Sequence, residues 1–178
     1  MSGHNRWTQI KRQKGASDAQ KSRIFSKLSR NISVESKLSG GKESPGLRAA
    51  IEKAKKVNMP KDVIERSIKK GSEPSSNMEP ITYEAYGPGG VGIIIETLTD
   101  SKNRTAQKIK HILNKNNTAL GGIGSVTWAF EKENTKEGMV WNPTNTIPLS
   151  DEDLKALEKL VEELEEDEDV QEVYTNAE

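Results

Sequence analysis

No cysteine occurs among the 178 residues, and only two histidines do. The first absence excludes disulfides, thiolate nucleophiles and Cys-based zinc sites. With the second, neither a Ser-His-Asp order nor a metal-ligand spacing can be assembled, so the sequence gives catalysis no support. No cofactor, metal ion or small-molecule substrate is expected. The longest apolar run, about Val91 to Ile95, falls far short of the roughly 20 residues a membrane span needs. No apolar segment of signal-peptide type follows the start, so neither secretion nor a membrane partner is indicated. Aromatic residues make up 4% and hydrophobic residues 32% of the chain, against 30% charged, which predicts folded units with thin cores.

What the chain has in quantity is charge, unevenly placed. Of its 27 Lys and Arg and 27 Asp and Glu, 18 basic and 6 acidic residues lie in 1–71, leaving 9 and 21 in 72–178. One part carries +12 and the other −12, so the formal zero conceals a basic module joined to an acidic one. A basic module of this kind faces a polyanion.

Periodicity supplies the elements. Ile24, Phe25, Leu28 and Ile32 recur at three- and four-residue spacing, predicting a helix over about 17–38 with Arg23, Lys27, Arg30 and Lys37 on its opposite face. Gly40-Gly41 ends it. Ser44-Pro45 opens a second helix burying Leu47, Ala50, Ile51, Ala54 and Val57, and a third, from about Pro60 to Gly71, buries Ile64 and Ile68. Residues 1–71 therefore read as a basic helical bundle, and 72–80 as a linker.

From Ile81 the period shortens. Strands are predicted at 81–86 and 91–98 around Gly87-Pro88-Gly89-Gly90, then a helix capped by Asp100 or Ser101. Alternation of Val126, Trp128 and Phe130 predicts a strand, and Met139 to Trp141 another. Ser150 with Asp153 caps a helix presenting Leu154, Leu157, Val161 and Leu164, and a strand follows near 170–174. Leaving out the first strand, this order is the ferredoxin-like split βαβ pattern. The fold class is thus α+β: an N-terminal three-helix-type bundle followed by a ferredoxin-like α/β domain, 81–178, with an antiparallel sheet.

Candidate binding residues lie in the basic segment: Arg6, Lys11, Arg12, Lys14, Lys21, Arg23, Lys27 and Arg30. Such cations displace counterions condensed on a phosphate backbone, although a solvated helix face would carry the same residues. Trp7, between Arg6 and Lys11, suits stacking on an unpaired base or anchoring the N-terminal arm; His4 suits a phosphate or base hydrogen bond, or simply the surface. The loops 87–90 and 121–124 lack the Lys-Ser/Thr of a phosphate-binding loop and precede strands, which favours turn geometry over loops that project bare backbone toward RNA. Acidic residues at 151–153 and 162–169 match no calcium-loop spacing and read as a solvated helix face, or as a surface that competes with nucleic acid for the basic module.

Several segments together resemble the YebC family: Ser2-Gly3-His4-Asn5-Arg6-Trp7, Leu47-Arg48-Ala49-Ala50-Ile51, Asn58-Met59-Pro60-Lys61-Asp62, Tyr86-Gly87-Pro88-Gly89-Gly90-Val91, Leu98-Thr99-Asp100 with Asn103-Arg104-Thr105, and Asp169-Val170-Gln171-Glu172-Val173-Tyr174. Family members are described as probable transcriptional regulatory proteins, and relatives include the mitochondrial translational activator of cytochrome c oxidase. The resemblance implies a helical domain followed by two α/β domains, one inserted in the other. Here residues 131–138 leave room only for a hairpin in place of the insert. Because the family's opening motif starts at Ser2, no room is left for a mitochondrial presequence, and a bacterial-type cytoplasmic location is expected.

Together these features predict a non-enzymatic regulator of gene expression that binds nucleic acid, either DNA in transcription or RNA and the ribosome in translation. The basic arm with its tryptophan, and the lack of a helix-turn-helix, favour RNA or ribosome association. The alternative is a protein-interaction module whose acidic domain engages a polymerase or ribosomal protein.

Overall fold

The structure is a computed structural model that describes residues 18–73, 77–136 and 138–178. Helix α1 spans Asp18–Leu38. It stops at Gly40 and Gly41, whose φ angles of 62° and 78° are open to glycine without strain; the Gly41 amide returns to the Ser36 carbonyl at 2.8 Å. Helix α2, Pro45–Lys56, is capped by the Ser44 hydroxyl, which accepts from the Leu47 amide. Helix α3 spans Lys61–Ser72. Leu28, Ile32, Leu47, Ala50, Ala54, Met59 and Ile64 form the bundle core, with Phe25, Ile51 and Ile68 against it. Each fully buried Leu or Ile contributes about 2 kcal/mol. Val57, expected inside, is exposed, and so is Ile24, expected on the apolar face of its helix.

Small residues let α1 and α3 touch. The Ser33 and Ser36 hydroxyls donate to the carbonyls of Ser67 and Ile68 at 2.9 and 2.7 Å. A Cβ on Gly71 would lie 2.1 Å from the Ser33 carbonyl oxygen, so this contact requires glycine.

Strand β1, Glu79–Tyr86, pairs antiparallel with β2, Gly92–Thr99. Helix α4, Lys102–Lys115, leads to the short β3, Ala119–Leu120. Strands β4, Phe130–Thr135, and β5, Gly138–Pro143, form a separate hairpin. Helix α5, Asp151–Glu166, is capped by Ser150, which accepts from the Asp153 amide, and β6, Val170–Thr175, closes the chain. The four-stranded antiparallel sheet runs β3-β1-β2-β6. One face, carrying Ala85, Ile93, Ile95 and Val173, packs on α4 and α5 through Ile109, Leu113, Leu157, Leu160 and Leu164. On the other face Ile94 meets Val126, Ala129 and Phe130, with Trp141 and Tyr174 alongside.

The α+β class stands as expected, but the strands are differently recruited. The first strand, left out of the expected pattern, holds a central position between β2 and β3. The expected strand at Val126–Phe130 is a 3-10 turn at Thr127–Ala129 running into β4. Val126 and Phe130 are buried and Trp128 is exposed, so alternation arises without a ladder. Strand β5 leaves the main sheet to cover its outer face, where the Trp141 indole donates to Glu96 Oε1 at 2.7 Å. No helix among the described residues is long and apolar enough to cross a membrane.

Candidate nucleic-acid interface

The face of α1 that carries Ser22, Ser26, Ser29 and Ser33 lies along a cleft of about 880 Å³. Spacings of four, three and four residues stack these side chains in one stripe. Val63, Arg66, Ser67 and Lys70 of α3 form the opposing wall, with Phe25 and Met78 adding apolar surface. Lys21, Arg30, Arg66 and Lys70 bring four cations to the cleft, and Asp18, Asp100 and Glu168 bring three carboxylates. Arg66 is held by Asp62 at 3.0 Å, Asp100 by Arg104 at 2.7 Å. Among the described residues, no carboxylate lies within ion-pair distance of Lys21 or Lys70. Hydroxyls beside uncommitted ammonium groups match the chemistry of phosphodiester oxygens.

The opposite side of α1 is committed inside the protein. Arg23 approaches Glu166 at 3.5 Å. Lys27 donates to the Glu165 carbonyl at 2.5 Å; burial lowers its pKa despite the nearby Glu165 and Glu172 carboxylates. Arg30 reaches deepest: its Nη1 donates to Asp169 Oδ1 and to the Glu168 carbonyl, both at 2.8 Å. The Asp169 side chain is almost wholly buried and also accepts from Thr105 Oγ1 at 3.0 Å and from Arg104 Nη2 at 3.3 Å. Burial alone would raise its pKa, but hydrogen bonds from Arg30, Thr105 and Arg104 outweigh that and hold the carboxyl below the ordinary aspartate range. Lys53 of α2 adds a 4.0 Å contact to Glu172. A seam of basic bundle residues against the acidic end of α5 thus joins the two parts of the chain.

Of the ten candidates, Lys21 lines the cleft, Arg30 touches both cleft and seam, and Arg23 and Lys27 lie in the seam. His4, Arg6, Trp7, Lys11, Arg12 and Lys14 lie outside the described residues. The acidic stretch expected to be a solvated face contributes Glu165, Glu166, Glu168 and Asp169 to the seam; positive charge from α1 makes docking favourable where isolated carboxylates would stay in water. Sequence reasoning missed Arg66 and Lys70, which a helical wheel of α3 would have placed beside Ser67, and the Asp169 node, which joins segments too far apart for spacing to reveal.

Structurally, then, the chain is an α+β protein in which a basic helical bundle is docked by ion pairs on an acidic α/β unit and keeps a hydroxyl- and lysine-lined cleft. The chain belongs to the TACO1/YebC family: the model of the TACO1/YebC protein N-terminal domain matches residues 5–74, and that of the TACO1/YebC second and third domain matches 78–135 and 132–177. The last two stretches meet within β4. A probable transcriptional regulatory protein of Petrotoga mobilis is 46% identical over 180 residues, covering 98% of this chain and 70% of its own length. One from Fervidobacterium nodosum is 38% identical over 235 residues, covering 99% and 93%; that alignment exceeds the 178 residues available here, so the relative carries additional residues within the matched span. The crystal structure of a conserved hypothetical protein, Aq1575, from Aquifex aeolicus has a TM-score of 0.84 and 31% identity, covering 98% of this chain and 97% of that one.

Proposed function

We propose that this protein is a non-enzymatic regulator of gene expression that binds nucleic acid through its basic bundle, with RNA or the ribosome the preferred target. Family membership and relatives named as probable transcriptional regulatory proteins support a regulatory role. The observation that carries nucleic-acid binding is the α1–α3 cleft, where Lys21 and Lys70 stand beside the serine stripe of α1. Phosphate contacts of this type position a polyanion without reading its sequence. The preference for RNA rests on the sequence: a basic arm carrying Trp7 suits irregular, partly single-stranded surfaces, and the chain shows no helix-turn-helix with base-reading side chains on a recognition helix. In this reading residues 1–71 are the binding module, 72–80 the linker and 81–178 the unit that positions it, with the β4–β5 hairpin in place of the family's inserted domain. The alternative, a protein-interaction module acting through its acidic part on polymerase or ribosomal proteins, is weakened by the commitment of Glu166, Glu168 and Asp169 to the seam.

The test is binding of the full chain to ribosomes, structured RNA and duplex DNA in parallel over a range of salt. Preference for ribosomes or RNA with a steep salt dependence is expected. Preference for duplex DNA would assign the protein to transcription, and binding to none would overturn the reading.

A further inference from the structure

Away from the cleft, at the β3 edge of the sheet, two aromatic side chains stand exposed in stretches of the chain that carry no charge. Tyr86 ends β1 and Trp128 sits in the turn before β4, 46% and 67% exposed. Both donate to one acceptor: the Tyr86 hydroxyl to the Ser125 carbonyl at 2.5 Å and the Trp128 indole to the same oxygen at 2.8 Å. Their polar edges are therefore fixed while their faces remain open. Beneath them the loop is held by the buried Glu84, whose carboxylate accepts from the amides of Gly124, Val126 and Thr127 at 2.7, 2.8 and 3.0 Å. Ile123 projects fully exposed from the same loop.

In a chain that is 30% charged, no charged residue occurs from Ala119 to Phe130 or from Ala85 to Glu96 short of its end. Among the described residues nothing accepts from the amides of Gly122 and Ile123. Three side chains offer at most several hundred Å², well below the area of a stable protein interface but matched to one or two flat rings. We infer that Tyr86, Trp128 and Ile123 form a preformed platform on which unpaired nucleobases stack, a second contact region separate from the phosphate-binding cleft. This rests on the nucleic-acid reading above, which it deepens by assigning bases to one region and phosphates to another.

The test compares the full-length protein with its Trp128→Ala and Trp128→Phe variants in binding a labelled, unpaired oligouridylate and the same strand with abasic residues, at several salt concentrations. Trp128 is exposed, so melting temperatures should be unchanged. Trp128→Ala is expected to weaken oligouridylate binding roughly tenfold with the salt slope intact, Trp128→Phe to recover most of it, and the abasic strand to bind all three proteins alike. Equal affinity of wild type and Trp128→Ala for oligouridylate would overturn the platform alone. So would failure of the wild type to bind this strand while it binds duplex DNA or ribosomes. Failure to bind any of the three overturns the function itself; a protein partner for the aromatic patch would then be sought.

Discussion

Two buried carboxylates, Asp169 and Glu84, organise this molecule, and each works by gathering donors from segments distant in the sequence. Asp169 collects two guanidinium groups and a threonine hydroxyl from α1 and α4, so it ties the bundle to the α/β unit. Replacing it with Asn keeps the shape but leaves Arg30 and Arg104 facing a neutral group. Stability is expected to fall by about 3 kcal/mol, the low end for a broken buried pair because both arginines keep some solvent, as measured by urea unfolding at pH 7. The sign of the pH dependence follows from its lowered pKa: the contribution is complete above the ordinary aspartate value of about 4 and is lost as pH falls through the lower folded-state value. Asp169→Asn should therefore flatten the acid limb of the stability curve. At this scale the sequence was least informative. Glu84 occupied an unremarkable strand position, and its role depends on amides 40 or more residues away that only the fold brings near.

Elements were easier to read, because helices report their buried face in the spacing of apolar residues. Helix α1 ends, and helices α2 and α5 begin, near their predicted limits, marked by Gly40-Gly41, Ser44-Pro45 and Ser150. Failure came where local pattern and hydrogen bonding diverge. Val126, Trp128 and Phe130 alternate like a strand, but Glu84 takes the amides of Val126 and Thr127, which cannot then join a ladder. The α1–α3 contact was likewise hidden, since Gly71 also suits a helix end. Gly71→Ala places a methyl 2.8 Å from Ser36 Cβ and closer still to the Ser33 carbonyl. Despite alanine's better helix propensity, separating the helices should cost about 2 kcal/mol, read as a lower midpoint in thermal or urea unfolding.

Over the whole molecule, the two opposed charges of the sequence become a seam and a cleft. The seam uses Arg23, Lys27 and Arg30; the cleft retains Lys21 and Lys70. Composition revealed the polarity of the chain but could not say which cations face outward, since that depends on how the bundle docks. Reversing the seam with Arg23→Glu and Lys27→Glu sets like charges against Glu165 and Glu166, and should destabilise the protein more at low salt than at high salt, a difference visible in melting curves. Whether the cleft lysines bind phosphate is decided by the salt dependence of nucleic-acid affinity, compared between wild type and a Lys21→Ala, Lys70→Ala variant. The slope of log K against log salt should be shallower by about 0.7 to 0.9 for each lysine removed, with unfolding unchanged; an identical slope and affinity in the variant would rule out phosphate binding by these lysines.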